Sequence, residues 1–169
     1  HAHWYAKYPS PVHLRELITP GCVIVTETGE ATEVGYWGSN NSLAMIAAGA
    51  VGIVTDGYCR DTYEVCLQKT PVACRKRGRT IIPGRIMEVE ANTVIACGGA
   101  QVRPGDIVGC DDDGVIVVPS DIAEEVARHA IAILLADMHG RRRLYERLGL
   151  PMDETVDVEK VEAYYAQFK

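Results

Sequence analysis

The hydrophobic positions of the chain change period several times, and each change marks an element. Residues 11–18 carry apolar side chains at helical spacing and are closed by Pro20-Gly21, which predicts a short helix. Residues 22–27, CVIVTE, form an unbroken β-branched run and predict a buried strand. The stretch TGEATEVGYWGSNN, residues 28–41, is rich in Gly, Thr and Asn and reads as a loop. After it, residues 42–50 are small and apolar, predicting a helix with Ser39, Asn40 or Asn41 as N-cap. A second buried strand over 51–55 ends at Asp56-Gly57, a short helix covers 62–68, and residues 71–76 supply a third strand.

Beyond residue 85 the texture changes. Strand-like runs alternate with Gly, Pro and Asp turns up to Pro119, the pattern of an antiparallel or mixed β section. Residues 120–149 return to helical spacing, with Ser120 or Asp121 as cap and Glu124 near a capping-box position. The tail, 151–169, predicts a last amphipathic helix capped by Asp or Thr, whose Val161, Tyr164 and Tyr165 would cover a neighbouring subunit. No internal repeat interrupts this order. The fold class is therefore α/β, a layered β core flanked by helices.

Composition narrows the classes. With 169 residues, 47% hydrophobic and 24% charged, the chain suits one globular domain, 1–169, with helices 120–169 at a subunit interface. It begins at His1 rather than Met, so a further N-terminal segment is expected. No apolar run approaches the ~20 residues of a membrane span, so a soluble, cytoplasmic protein without a membrane partner is expected. The net charge of -6 argues against nucleic acid as a partner; Arg75-Lys76-Arg77 and Arg141-Arg142-Arg143 read as solvated basic faces. The six cysteines show no C-x-x-C pair and no secretory context, so reduced, mostly buried thiols are expected.

Two stretches carry candidate chemistry. In open α/β sheets ligands bind beyond the carboxyl ends of strands, and Arg60-Asp61 follows such an end. Arg60 offers a planar fork matched to a carboxylate, and Asp61 an oxygen ligand for a hard divalent cation. The plainer alternative makes Asp61 the cap of the helix at Thr62 and Arg60 an ordinary ion pair. In GYWGSNN, Gly35 and Gly38 permit close backbone approach, and the free N–H groups of the next helix could dock an anion; a plain Gly-rich loop with an N-cap is the alternative. CDDDG lacks EF-hand spacing and predicts a hairpin turn rather than a metal site. The histidines, His1, His3, His13, His129 and His139, leave the middle of the chain empty, which disfavours a histidine relay.

The segments PGCVIV, WG, GAVGIVTDGYCRD and GGAQVRPGDIVGCDDDGVIVVP occur in order over about residues 20–119. Together they resemble the class II pyruvate aldolases that cleave 4-hydroxy-4-methyl-2-oxoglutarate and 4-carboxy-4-hydroxy-2-oxoadipate. That family also holds the regulators of ribonuclease E activity, and some members carry a demethylmenaquinone methyltransferase name. The resemblance implies a β/β/α core similar to the swivelling phosphohistidine domain, assembled as a homotrimer or homohexamer with active sites between subunits. It implies Arg60 as the contact to a small oxo-acid substrate, Asp61 as the ligand of Mg²⁺ or Mn²⁺, and the backbone amides of Gly38, Ser39, Asn40 and Asn41 as the carboxylate site. A C-terminal acid from another subunit maps onto Asp137. The family's acidic residue twenty-two positions before the metal-binding Asp falls here on Ser39, and a hydroxyl cannot replace a carboxylate as a base.

The implied reaction is aldol cleavage or decarboxylation of a small 2-oxo acid such as oxaloacetate, releasing pyruvate, with the cation and Arg60 stabilising an enolate. No lysine lies in the pocket stretches, which disfavours a Schiff base. Two alternatives stand beside it. One is a non-catalytic binding protein of the ribonuclease-regulator type, favoured by Ser39 and disfavoured by Asp61. The other is a same-fold enzyme for a sugar acid whose hydroxyls bind Asn40 and Asn41.

Overall fold

A computed structural model of the chain describes residues 2–31 and 33–166. His1, Thr32 of the Gly-rich loop and the last three tail residues lie outside them. The chain divides into two compact units, 1–120 and 121–169, where the residue pattern reads as one domain with C-terminal helices from 120.

The first unit runs α1 (Ala2–Lys7), a 3-10 turn at Leu14–Leu17, β1 (Val23–Thr26), β2 (Gly35–Trp37), α2 (Ser39–Ala47), β3 (Gly52–Cys59), α3 (Thr62–Leu67) and β4 (Val72–Arg77). Two antiparallel hairpins follow, β5 (Ile95–Cys97) with β6 (Ala100–Val102), and β7 (Ile107–Cys110) with β8 (Val115–Val118). The helix expected over 11–18 is only the 3-10 turn, and the helical pattern did not announce α1.

Strand β3 organises the unit. It pairs in parallel with β1 from Val23↔Gly52 to Thr26↔Thr55, with β2 at Gly35↔Tyr58 and Trp37↔Cys59, and with β4 along both halves. Seven of its eight residues are buried, as expected of a parallel strand covered on both faces. Alternation sends Ile53 into a core with Ile24, Tyr36, Trp37 and Met45, and Val54 into a second core with Cys97 and Val102 of the first hairpin.

Two sequence expectations are corrected here. The second strand does not stop at Asp56-Gly57 but continues to Cys59, because β2, read as loop, is a strand that pairs with its end. Asp56 is buried within it, and its carboxylate accepts hydrogen bonds from Thr28 N (2.9 Å), Thr28 Oγ1 (2.9 Å) and Gly98 N (3.4 Å). A buried carboxylate satisfied by three donors is compatible with strand interior. Helix α2 starts at Ser39, with Gly38 rather than Ser39, Asn40 or Asn41 at the N-cap position and no side-chain cap bond.

The hairpin turns form as their residues dictate. Gly98 and Gly99 both have positive φ (60° and 89°), the requirement of a two-residue turn that matches strand twist. In the CDDDG turn Asp111 Oδ1 accepts from Asp113 N (2.9 Å) and Gly114 N (3.2 Å).

The second unit holds α4 (Ala123–Leu148), a 3-10 turn at Glu154–Val156 and α5 (Val158–Ala166). Residues Ser120–Ile122 form a 3-10 turn ahead of α4, so neither Ser120 nor Asp121 caps it; the N-cap position is Ile122, without a side-chain bond. Gly149 ends α4 in the left-handed conformation (φ 66°). Asp157 caps the start of α5 by accepting from Lys160 N (3.0 Å), as the tail pattern predicts. Arg142 grips Glu159 through both carboxylate oxygens (2.7 and 3.0 Å), tying α5 to α4. Among the described residues no helix is long and apolar enough to cross a membrane.

Candidate functional site

Where β3 ends, the chain turns sharply. Arg60 N still donates to Trp37 O (2.9 Å), extending the pairing with β2, and Asp61 then adopts a left-handed conformation (φ 53°, ψ 37°). A non-glycine residue there is uncommon and Asp is among those that tolerate it. The turn denies Asp61 the role of helix cap: it occupies the N-cap position of α3 but makes no side-chain cap bond. Its carboxylate instead faces the start of α2. Oδ2 accepts from Arg60 Nη1 (2.8 Å), Ser39 N (3.3 Å) and Ser39 Oγ (3.4 Å).

Arg60 is pinned at both ends. Its Nε donates to Gly35 O (3.1 Å) on β2, and Nη1 forms the ion pair with Asp61. The side chains retain 23% and 38% of their exposure, so both reach solvent while held by backbone. Gly38 lies directly beneath them: a Cβ there would stand 2.5 Å from Arg60 Nη1 and 2.7 Å from Asp61 Oδ2. Only glycine leaves room for the pair.

The structure thus brings Gly38, Ser39, Arg60 and Asp61 together. Ser39 is buried, whereas Asn40 and Asn41 are exposed on the first turn of α2. Asp137 is exposed on α4, which belongs to the second unit, whereas the other four belong to the first. Sequence reasoning missed the support of Arg60 by β2, which is itself held by Thr80: its Oγ1 accepts from Gly35 N (3.0 Å) and donates to Glu33 O. The aromatic, β-prone run VGYW was the available signal. Tyr36 beside it is buried and hydrogen-bonded to Glu88; burial first, then that carboxylate, raise its pKa far above the ordinary phenol value.

Among the described residues no three His, Cys, Asp or Glu side chains converge to hold a metal. The donor set fits a different mode. Asp61 Oδ1 accepts no hydrogen bond among the described residues, and a single carboxylate, with water and substrate completing the shell, is how Mg²⁺ is commonly held.

A family model described as RraA-like, Aldolase/RraA, matches residues 8–117. The chain belongs to this family. A relative from Halalkalibacterium halodurans, provisionally named a 4-hydroxy-4-methyl-2-oxoglutarate aldolase, is 37% identical over 114 residues, covering 66% of this chain and 53% of its own length. Another so named, from Deinococcus radiodurans, is 28% identical over 115 residues, covering 66% of this chain and 71% of its own. The chain spans about half the length of the first of these. Among solved structures, Streptomyces coelicolor RraAS2, titled an unusual member of the RNase ES inhibitor RraA protein family, superposes with a TM-score of 0.71 at 28% identity. That match covers 76% of this chain and 66% of RraAS2. An uncharacterized protein from Pseudomonas syringae gives a TM-score of 0.72 at 25% identity, over 90% of this chain and 72% of that one. Residues 35–61, which hold the cluster, fall inside the matched RraA-like segment, whereas Asp137 falls outside it.

Proposed function

We propose that this RraA-like chain is a divalent-metal-dependent lyase that releases pyruvate from a small 2-oxo acid by aldol cleavage or decarboxylation. The observation that carries this reading is the Arg60–Asp61 pair, held at 2.8 Å over Gly38 by backbone contacts. Breaking a carbon–carbon bond next to a keto group leaves an enolate, and a guanidinium fixed before the reaction stabilises that charge without reorganising. Arg60 is fixed in this way by Gly35 O. Asp61 would hold Mg²⁺ or Mn²⁺, which when bound supplies a Lewis acid for the substrate's keto oxygen. Asn40 N and Asn41 N, in the first turn of α2, have no partner among the described residues and suit a substrate carboxylate.

Proton handling falls to groups this cluster lacks. Ser39 Oγ touches Asp61 but is no base, so Asp137 from another copy of the chain is the assigned acid. The uncovered side of α4 is where a homotrimer or homohexamer would form. Ser39 also favours a second reading, a binding protein of the ribonuclease-regulator kind that keeps the fold without turnover.

Pyruvate release from a panel of oxo acids, with Mg²⁺ or Mn²⁺, separates the two. The enzyme reading expects metal-dependent turnover that falls about 10²-fold or more in Arg60→Ala. Turnover unaffected by that substitution removes the site, and no turnover on any oxo acid leaves the regulator reading.

A further inference from the structure

Gly35 of β2 stands between two side chains. Its N–H donates to Thr80 Oγ1 (3.0 Å) and its C=O accepts from Arg60 Nε (3.1 Å), so one residue joins the Thr80 hydroxyl to the guanidinium. The hydroxyl also donates to Glu33 O, bridging the carbonyl and the amide on either side of Val34. Its single proton and an accepting lone pair are both in use.

Glycine makes this bridge necessary. Without a Cβ, residue 35 has wide backbone freedom, and its own sterics do not set the direction of its carbonyl. No larger residue fits there. A Cβ would stand 2.5 Å from Thr80 O and 3.3 Å from Arg60 Cβ, so the Thr80 backbone and the Arg60 stem both lie against the bare α-carbon. The position thus requires the residue least able to hold a direction by itself, and Thr80 supplies the constraint.

The segment that carries Thr80 is fastened to the end of β3. Gly78 N donates to Cys59 O (3.0 Å), and Gly78 lies so near the Tyr58 ring that a Cβ would stand 2.2 Å from Cδ2. Residues 78–80 therefore run from the end of β4 past the end of β3 to β2, with Thr80 half-buried. Cys59 is one of two buried cysteines here; the expectation of mostly buried thiols is corrected, because all six are free but only Cys59 and Cys97 are buried.

We propose that Thr80 is a positioning residue for Arg60: by fixing Gly35 through its N–H, the Thr80 hydroxyl aims the Gly35 carbonyl, and that carbonyl sets the guanidinium. The inference rests on the reading of Arg60 as the group that meets the oxo acid. The ion pair with Asp61 holds Nη1 and Gly35 O holds Nε, and two fixed points define the plane of the rigid fork. Loss of the hydroxyl loosens one of them. A misplacement on the order of 1 Å can cost about 10²-fold in rate.

The test reads Arg60 itself. In the isotopically labelled full chain the Nε–H cross-peak of Arg60 is assigned by its loss in Arg60→Lys, and its exchange with water is measured in wild type, Thr80→Val and Thr80→Ser. Valine keeps the size and removes both hydrogen bonds; serine keeps the hydroxyl. Exchange is expected to quicken about tenfold in Thr80→Val and to return to within about twofold of wild type in Thr80→Ser. On oxaloacetate with Mg²⁺, kcat should fall about tenfold in Thr80→Val while KM changes less than about twofold, and serine should restore it. A merely structural Thr80 would lower the melting temperature in Thr80→Val and leave Arg60 exchange as it was, which overturns the assignment. Exchange that Thr80→Ser fails to restore, or a kcat unchanged in Thr80→Val, overturns it too. Absence of turnover in wild type would remove the lyase reading alone, because Arg60 exchange then decides the role of Thr80.

Discussion

At the scale of single residues, Gly38 decides whether Arg60 and Asp61 can share a place. Its φ of -152° is ordinary extended backbone, so conformational freedom is not what requires glycine there. Space is: a methyl group would meet the tips of both side chains under 3 Å. Those tips are movable, so Gly38→Ala should cost less than about 1 kcal/mol of stability. It should nevertheless lower metal-dependent turnover about tenfold or more by spreading the pair. Thermal melting beside steady-state kinetics checks this, and a variant with full activity would show that the close approach is incidental. Residue types and their place beyond a strand end made Arg60 and Asp61 candidates. What they left open, whether Asp61 caps a helix, turned on the left-handed backbone at Asp61, which directs its carboxylate to Ser39 and Arg60 instead, and Asp is compatible with either outcome.

At the scale of elements, β3 was half legible. Its apolar beginning, Ile53 to Thr55, announces a buried strand, but Asp56-Gly57 looks locally like a turn. The strand continues because partners elsewhere in the chain answer its polar groups: Thr28 and Gly98 satisfy the Asp56 carboxylate, and Val34 O accepts from Tyr58 N (3.0 Å). Asp56→Ala should therefore cost about 3 kcal/mol, because it strands the buried N–H and hydroxyl donors of Thr28 and removes the partner of Gly98 N. Urea denaturation measures it, and a loss below about 1 kcal/mol would mean that these contacts are replaceable. The same dependence on distant partners hid β2: three residues are too few for a period to appear, and pairing with β3 is what makes them a strand.

At the scale of the whole molecule, α4 leaves Val126, Ile133, Leu134, Leu144 and Leu148 exposed within one chain. At about 100° per residue these five fall within an arc of about 100°, a coherent apolar stripe rather than scattered surface residues. In the proposed homotrimer or homohexamer a second copy would cover this stripe and would carry Asp137 of the same helix into the interface. The double substitution Ile133→Glu, Leu148→Glu should reduce the sedimenting mass to that of one chain; an unchanged mass would place the contact elsewhere. By itself the amino-acid sequence determined β1, β4 and α4, the beginning of β3, the hairpin turn at CDDDG and the residue types of the cluster, because these depend on neighbours within a few positions. Only the tertiary structure decided that β3 passes through Asp56, that Asp61 turns toward Ser39 instead of α3, and that Thr80 meets Gly35 next to Arg60. Each of those outcomes is fixed by contacts between residues tens of positions apart, and no local period encodes such contacts.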